Sequence, residues 1–293
     1  MRDARCLIIV ALVVAAAAGF VIGAPWIAEK VREPDTTEKM LERTSHLTPR
    51  VERVDGASRD PLQLQYDLAV LAYNRAEYGG DPRNNPAATN YTVGHARAEE
   101  MLLDYLMVAG AGREGMAPLL VGELRRRRGD HCGAIRWYED AFTNERTAYV
   151  ALHAGVNLAY ACLRCGETAR AREVVAEMQR TPGIESESNV LACAAIVQVR
   201  SGHDAYNRGK WGAAEGYYRK ARELKPGWPE ATAMLAFTYC RLAEGAEEEG
   251  AGKVAFDYLA RADMLVNSPE AARYTRGTMG RARDHVRERI GRR

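Results

Sequence analysis

GHDAYNRGKWGAAEGYYRKARELKP, residues 202–226, places a small residue at Gly202, Gly209 seven positions later, Ala214 five after that and the bulky Tyr218 four beyond. Three further segments carry this spacing: Gly122/Gly129/Ala134/Tyr138, Ala159/Gly166/Ala171/Val175 and, with an insertion, Ala236/Gly250/Ala255/Leu259. Two antiparallel helices approach closely only where a side chain is nearly absent. One small residue on each helix therefore marks their crossing, and the Gly between them ends the first helix. Ala141, Met178, Ala221 and Ala262 follow the bulky positions at i, i+3 spacing, which puts each pair on one face of the second helix, toward the next repeat. Pro226 closes one second helix and Pro229 opens the next first helix.

At these positions the sequence resembles the tetratricopeptide repeat family. The likeness is strongest over Gly202, Gly209, Trp211, Ala214, Tyr218, Ala221 and Pro226, followed by Leu235, Ala236 and Tyr239. It spans roughly residues 115–267 and is weakest in the second repeat, where Met178 and Gly183 replace the usual Ala and Pro. From Ala134 to Ala171, Ala214 and Ala255 the separations are 37, 43 and 41. The family's unit is about 34 residues, so some helices are expected to be longer than its norm. The resemblance implies an all-α fold: an α-solenoid of antiparallel helix pairs forming a TPR-like superhelix, with a ligand groove on its concave, first-helix surface. Mapped onto this chain, that surface carries Glu123, Arg126 and Arg127, then His153, Asn157, Tyr160 and Arg164, then Arg200, His203 and Tyr206, then Phe237 and Arg241. Alternating guanidinium forks and rigid rings suit the gripping of an extended or helical peptide. Some members of the family clamp a C-terminal carboxylate. Asn157 and Arg200 match that arrangement, but Leu119, Glu123 and Ile196 depart from it, and an acid at Glu123 facing the groove would repel such a ligand.

The N-terminus adds a second theme. Residues Cys6 to Ala28 contain no charge, and a helix of that length, at about 1.5 Å per residue, reaches about 35 Å, enough to cross a bilayer core. Residues 1–30 therefore read as a transmembrane helix, with Trp26 as an interface anchor. A cleaved signal peptide is the rival, with Ala16-Ala17-Ala18 as its cleavage site. Arg2 and Arg5 favour a cytoplasmic N-terminus against Lys30, Arg32, Lys39 and Arg43 on the other flank, and we read the repeats as lying on the periplasmic or extracytoplasmic side.

Residues 31–60 are polar, with Pro34 and Pro49, and read as a linker. Residues 61–112 read as a degenerate helical pair: 61–78 and 91–109 are amphipathic, and 79–86 form a candidate contact loop. The repeats follow over 113–267. Residues 268–293 read as a basic capping helix: from Glu270 onward eight Arg face three acids, 8 − 3 = +5. Repeat stacks require such a cap; Arg281, Arg283, Arg287 and Arg289 would alternatively offer a basic surface to an acidic partner or anionic lipid. The run Arg125 to Arg128 complements a helix C-terminus. The formal charge of the whole chain is only +2, which argues against a nucleic-acid partner.

Five cysteines lie outside the anchor: Cys132, Cys162, Cys165, Cys193 and Cys240. An odd number excludes complete pairing within the chain. Cys162 and Cys165 form a C-x-x-C with no second such pair and no following His, so the cysteines read as small buried thiols. The chain shows no phosphate loop, no His-Glu-x-x-His and no Gly-x-Ser-x-Gly. His131-Cys132 opens a second helix, where sequence neighbours point apart, and His153 with His203 lacks a third metal ligand. The sequence thus reads as a non-enzymatic interaction scaffold or assembly factor, without cofactor or metal, that is tethered to a membrane and binds other proteins. The alternatives are a structural accessory subunit of a respiratory, photosynthetic or translocation complex, or a cleaved, secreted or periplasmic binding module.

Overall fold

The computed structural model describes residues 60–78, 92–110, 115–144, 147–268 and 273–291, and within them the chain forms helices and no strand. α1 (Pro61–Tyr78) and α2 (Val93–Ala109) make a first pair. Four more follow: α3 (Met116–Arg127) with α4 (His131–Asn144), α5 (Ala148–Arg164) with α6 (Thr168–Met178), α7 (Ser188–Asn207) with α8 (Trp211–Leu224), and α9 (Pro229–Glu248) with α10 (Gly252–Val266). α11 (Arg273–Gly291) closes the stack against α9 and α10. Each helix packs on its chain neighbours, and α5 also packs on both α3 and α7. Tertiary structure here is a chain of nearest-neighbour interfaces. Residues 6–28, the linker and the 79–86 loop lie outside the described residues; among the described ones no helix is long and apolar enough to cross a membrane.

The repeated glycines act at the helix ends. Gly209 adopts φ +71° just past α7, and the N–H of Lys210 reaches back to the carbonyl of Ala205 at 2.9 Å. That six-residue closure, open to Gly without strain, consumes carbonyls the helix would leave unpaired. It recurs from Asp130 to Arg125, Glu167 to Cys162 and Ala251 to Ala246. The crossings follow the small residues. A Cβ at Gly202 would stand 2.5 Å from the Tyr218 ring, and one at Gly122 would stand 2.7 Å from the Tyr138 ring. Ala134, Ala171, Ala214 and Ala255 are all wholly buried.

Two details of the repeat assignment change. Gly122, Ala159 and Gly202 each lie five residues before the last residue of their helix; in α9, which ends at Glu248, that place belongs to Ala243. Ala243 is wholly buried and precedes Gly250 by seven, so the fourth set is Ala243/Gly250/Ala255/Leu259 and holds no insertion. The uneven repeat lengths arise before and at the start of the first helices, which hold 12 residues in α3, 17 in α5 and 20 in both α7 and α9; the connections preceding α5, α7 and α9 run over 145–147, 179–187 and 225–228. The irregular second repeat is compensated in space. Met178 fits where its counterparts are alanines because it lies over Gly155, where an added Cβ would come 2.6 Å from its sulfur.

The cysteines also differ from expectation. Cys132 and Cys165 are joined in a disulfide across 33 residues, while Cys162, Cys193 and Cys240 remain as buried thiols. Sequence spacing carries no hint of this pair, because α4 and α5 run antiparallel and bring the start of one beside the end of the other. At the C-terminus, Met279 and Val286 form the buried face of the capping helix α11. Asp263 of α10 accepts hydrogen bonds from Arg283, at 2.7 Å, and from Arg287. Both guanidiniums tie α11 down; Arg283 is largely covered, whereas Arg287 stays exposed beside its acid. Arg281 is exposed beside Thr278, and the side chain of Arg289 lies outside the described residues.

Candidate partner-binding site

The first-helix face divides into two halves with different chemistry. On α3, Glu123 is wholly buried. Arg126 Nε donates to Glu123 Oε2 at 3.0 Å, the Tyr138 hydroxyl donates to the same oxygen at 3.2 Å, and Arg127 contacts both Glu123 and Glu77 of α1. Burial, with the Glu123 charge beside it, pushes the Tyr138 phenol well above its ordinary range. Arg125 reaches Glu99 of α2 at 3.1 Å and Arg128 reaches it at 3.5 Å. The arginine run therefore does more than complement a helix end: Arg125, Arg127 and Arg128 fasten the α1–α2 pair onto α3 through Glu77 and Glu99, while Arg126 holds Glu123. Glu123 presents no free charge to the groove, and the repulsion expected of it does not operate. Arg126 and Arg127 are almost covered, at 12% and 13% side-chain exposure, and are committed to internal acids.

α5 is intermediate. His153 is buried, its ring 4.3 Å from that of Tyr149. Asn157 is wholly buried, and neither atom of its amide finds a hydrogen-bond partner. Tyr160 is buried edge-on against His131, whose pKa is lowered by burial and by the charges of Arg164 and Arg126. Arg164, at the end of the helix, is exposed.

α7 and α9 make the accessible half. Arg200, Tyr206, Phe237 and Arg241 are each half-buried on successive turns. Arg200 Nε has no hydrogen-bond partner, and among the described residues its guanidinium forms no ion pair. His203 lies 3.7 Å from Glu230 and 5.7 Å from the Tyr218 ring; burial, then the Arg200 charge, pushes its pKa down to about 4. The imidazole is therefore neutral near pH 7. Arg241 pairs with Glu244 at 2.8 Å and hydrogen-bonds Tyr206. Beneath this face the Tyr218 and Thr232 hydroxyls are buried without hydrogen-bond partners.

Sequence reasoning missed Glu230, Glu244 and the Tyr218 and Thr232 hydroxyls. Aligning Ala243 with Gly202 would have found Glu244, because Arg200 and Arg241 both lie two positions before those residues, and His203 and Glu244 one after. Chemically, this half offers a guanidinium without an acid, a phenol and phenyl ring for apolar contact, and acids at the flanks. Among the described residues, no group of three or more His, Cys, Asp or Glu is placed to hold a metal.

No family model matches the chain, and no curated protein does. Among solved structures it is similar to a TPR repeats protein from Bacteroides fragilis, with 16% sequence identity over 75% of this chain and 98% of that one, at a TM-score of 0.44.

Proposed function

We propose that the chain is a non-catalytic scaffold that binds a segment of another protein along the α7–α9 half of its first-helix face, held at a membrane by residues 6–28. The observation that carries this reading is Arg200: a half-buried guanidinium without an internal acid, in a molecule that pairs Arg125, Arg126, Arg127, Arg128, Arg241 and Arg283 internally. Leaving one such group unpaired costs stability unless something else supplies the anion. A partner with an acidic or carbonyl-rich segment supplies it, and Tyr206 and Phe237 add apolar contact with little entropy lost. The exposed Arg164 would extend the track toward α5.

The Cys132–Cys165 disulfide supports the extracytoplasmic placement, since disulfides persist in oxidising compartments. The charge-free run of residues 6–28 supports tethering. Cross-linking in intact membranes, then mild detergent extraction, should recover a partner with the wild-type chain and lose it with Arg200→Ala plus Phe237→Ala. Equal recovery by that folded variant would sink the α7–α9 site. A mature chain beginning at or beyond Gly19 would sink the tether while leaving the site standing.

A further inference from the structure

We propose that the Cys132–Cys165 bond is a thiol-exchange site, at which an incoming thiol attacks Cys132 and opens the α4–α5 hairpin without unfolding the stack. The inference stands apart from the binding reading above. α4 and α5 are joined at one end by residues 145–147, and the disulfide closes the opposite, open end. Cys132, the second residue of α4, is exposed, while Cys165 caps α5 and is half-buried. Accessible disulfides are the labile ones, and shielded ones resist reduction. The other three thiols are the opposite case. Burial pushes Cys162 up to about 11 and Cys193 and Cys240 up to about 12, so they are neither reached nor ionised near neutral pH.

The exchange balances in two steps. An external thiolate attacks Cys132 Sγ, the Cys132–Cys165 bond breaks, and Cys165 departs as a thiolate that takes a proton from water. The product is a mixed disulfide on Cys132. A second external thiol then displaces Cys132, so the protein gains two thiols as two external thiols become one disulfide. The departing Cys132 thiolate lies in the first turn of α4, where backbone N–H groups favour negative charge. Asp130 opposes it, but that carboxylate is engaged by Arg125 at 3.4 Å and Arg128 at 3.8 Å.

The α4–α5 hairpin is the junction between two repeats, and among the described residues neither α6–α7 nor α8–α9 carries a disulfide. In a stack of nearest-neighbour contacts, freeing one junction changes the curvature there alone. Arg164 adjoins Cys165, and Tyr160 rests on His131 beside Cys132, so the α5 part of the face moves with the junction.

The test uses the full chain made in an oxidising compartment and treated with reduced glutathione at about 1–10 mM under native conditions. Two further thiols should become trappable with helical content unchanged, and a glutathione adduct should appear on Cys132 at intermediate ratios. Amide exchange across α4 and α5 should rise on the order of tenfold or more while α9 and α10 stay unchanged. A bond that survives about 10 mM glutathione, reduction that unfolds the chain, or an adduct on Cys165 would each overturn the proposal. Cys132→Ser with Cys165→Ser should reproduce the reduced exchange pattern, and a pattern like that of the oxidised chain would equally overturn it. If that variant fails to fold, exchange in the reduced wild type decides. In cells, Cys165→Ser should hold Cys132 as an adduct: a small one identifies a low-molecular-weight thiol, a protein-sized one a partner cysteine, and an unmodified Cys132 contradicts the proposal.

Discussion

The α3–α4 and α7–α8 pairs share one backbone solution and opposite side-chain chemistry. In each, a glycine lets a tyrosine ring press onto the first helix, Tyr138 over Gly122 and Tyr218 over Gly202. One residue past the glycine stands Glu123 in the first pair and His203 in the second. Glu123 is enclosed by Arg126, Arg127 and the Tyr138 hydroxyl, so every strong charge there is answered internally. His203 is neutral near pH 7, and among the described residues Tyr218 finds no hydrogen-bond partner and Arg200 no acid. The geometry of a repeat therefore does not decide whether its face is closed or open; the residues around the crossing do, Glu123 with Arg126 and Arg127 in one pair and His203 with Tyr206 and Asn207 in the other.

The difference should be largest when those two residues are removed. Glu123→Ala leaves two nearly covered guanidiniums without their common acid, and a loss of about 3–5 kcal/mol is expected in urea unfolding; His203→Ala should lose about 1 kcal/mol. Equal losses would break the comparison. Next come the crossings themselves: Gly122→Ala and Gly202→Ala should each cost about 1–3 kcal/mol by overpacking. Gly216→Ala, in α8 with nothing within 4 Å of the added atom, should instead gain up to about 1 kcal/mol. A gain at Gly202 would mean that the tyrosine yields freely.

Acid offers a third probe. The folded pKa of His203 is depressed from 6.5 to about 4, so between those values the unfolded chain binds a proton that the folded chain refuses. Stability should fall by about 3 kcal/mol as pH drops through that window and be unaffected by this residue above about 6.5. In His203→Gln the slope should flatten to what His131 and the carboxylates leave; an unchanged slope would refute the half-buried, neutral imidazole. Smallest is the hydroxyl pair. Tyr138→Phe strips a donor from buried Glu123 and should cost about 1–2 kcal/mol, whereas Tyr218→Phe should be neutral within about 0.5 kcal/mol.

Much of the fold was legible because its signals are local. Gly129, Gly166, Gly209 and Gly250 mark helix ends through backbone conformation, and Ala134, Ala171, Ala214 and Ala255 mark crossings through size; neither depends on distant residues. Reading Ala236 in place of Ala243 failed because both are small and the helix end, which discriminates between them, was not known. The site was less legible. The family resemblance puts His153, Asn157 and Tyr160 on the groove wall, and the fold buries all three, since α5 is enclosed by α3 on one side and α7 on the other. The run Arg125 to Arg128 looked self-sufficient because its acids, Glu77 and Glu99, belong to helices some 25 to 50 residues earlier.

By itself the amino-acid order determined that this chain makes paired helices, where each first helix stops and which small residues let the pairs nest, because these are properties of a few consecutive turns. Only the tertiary structure decided which charges are spent internally, that Cys132 meets Cys165 and that the accessible face lies on α7 and α9. Those outcomes depend on which helices touch, and contact between distant segments follows from packing as a whole rather than from any local spacing.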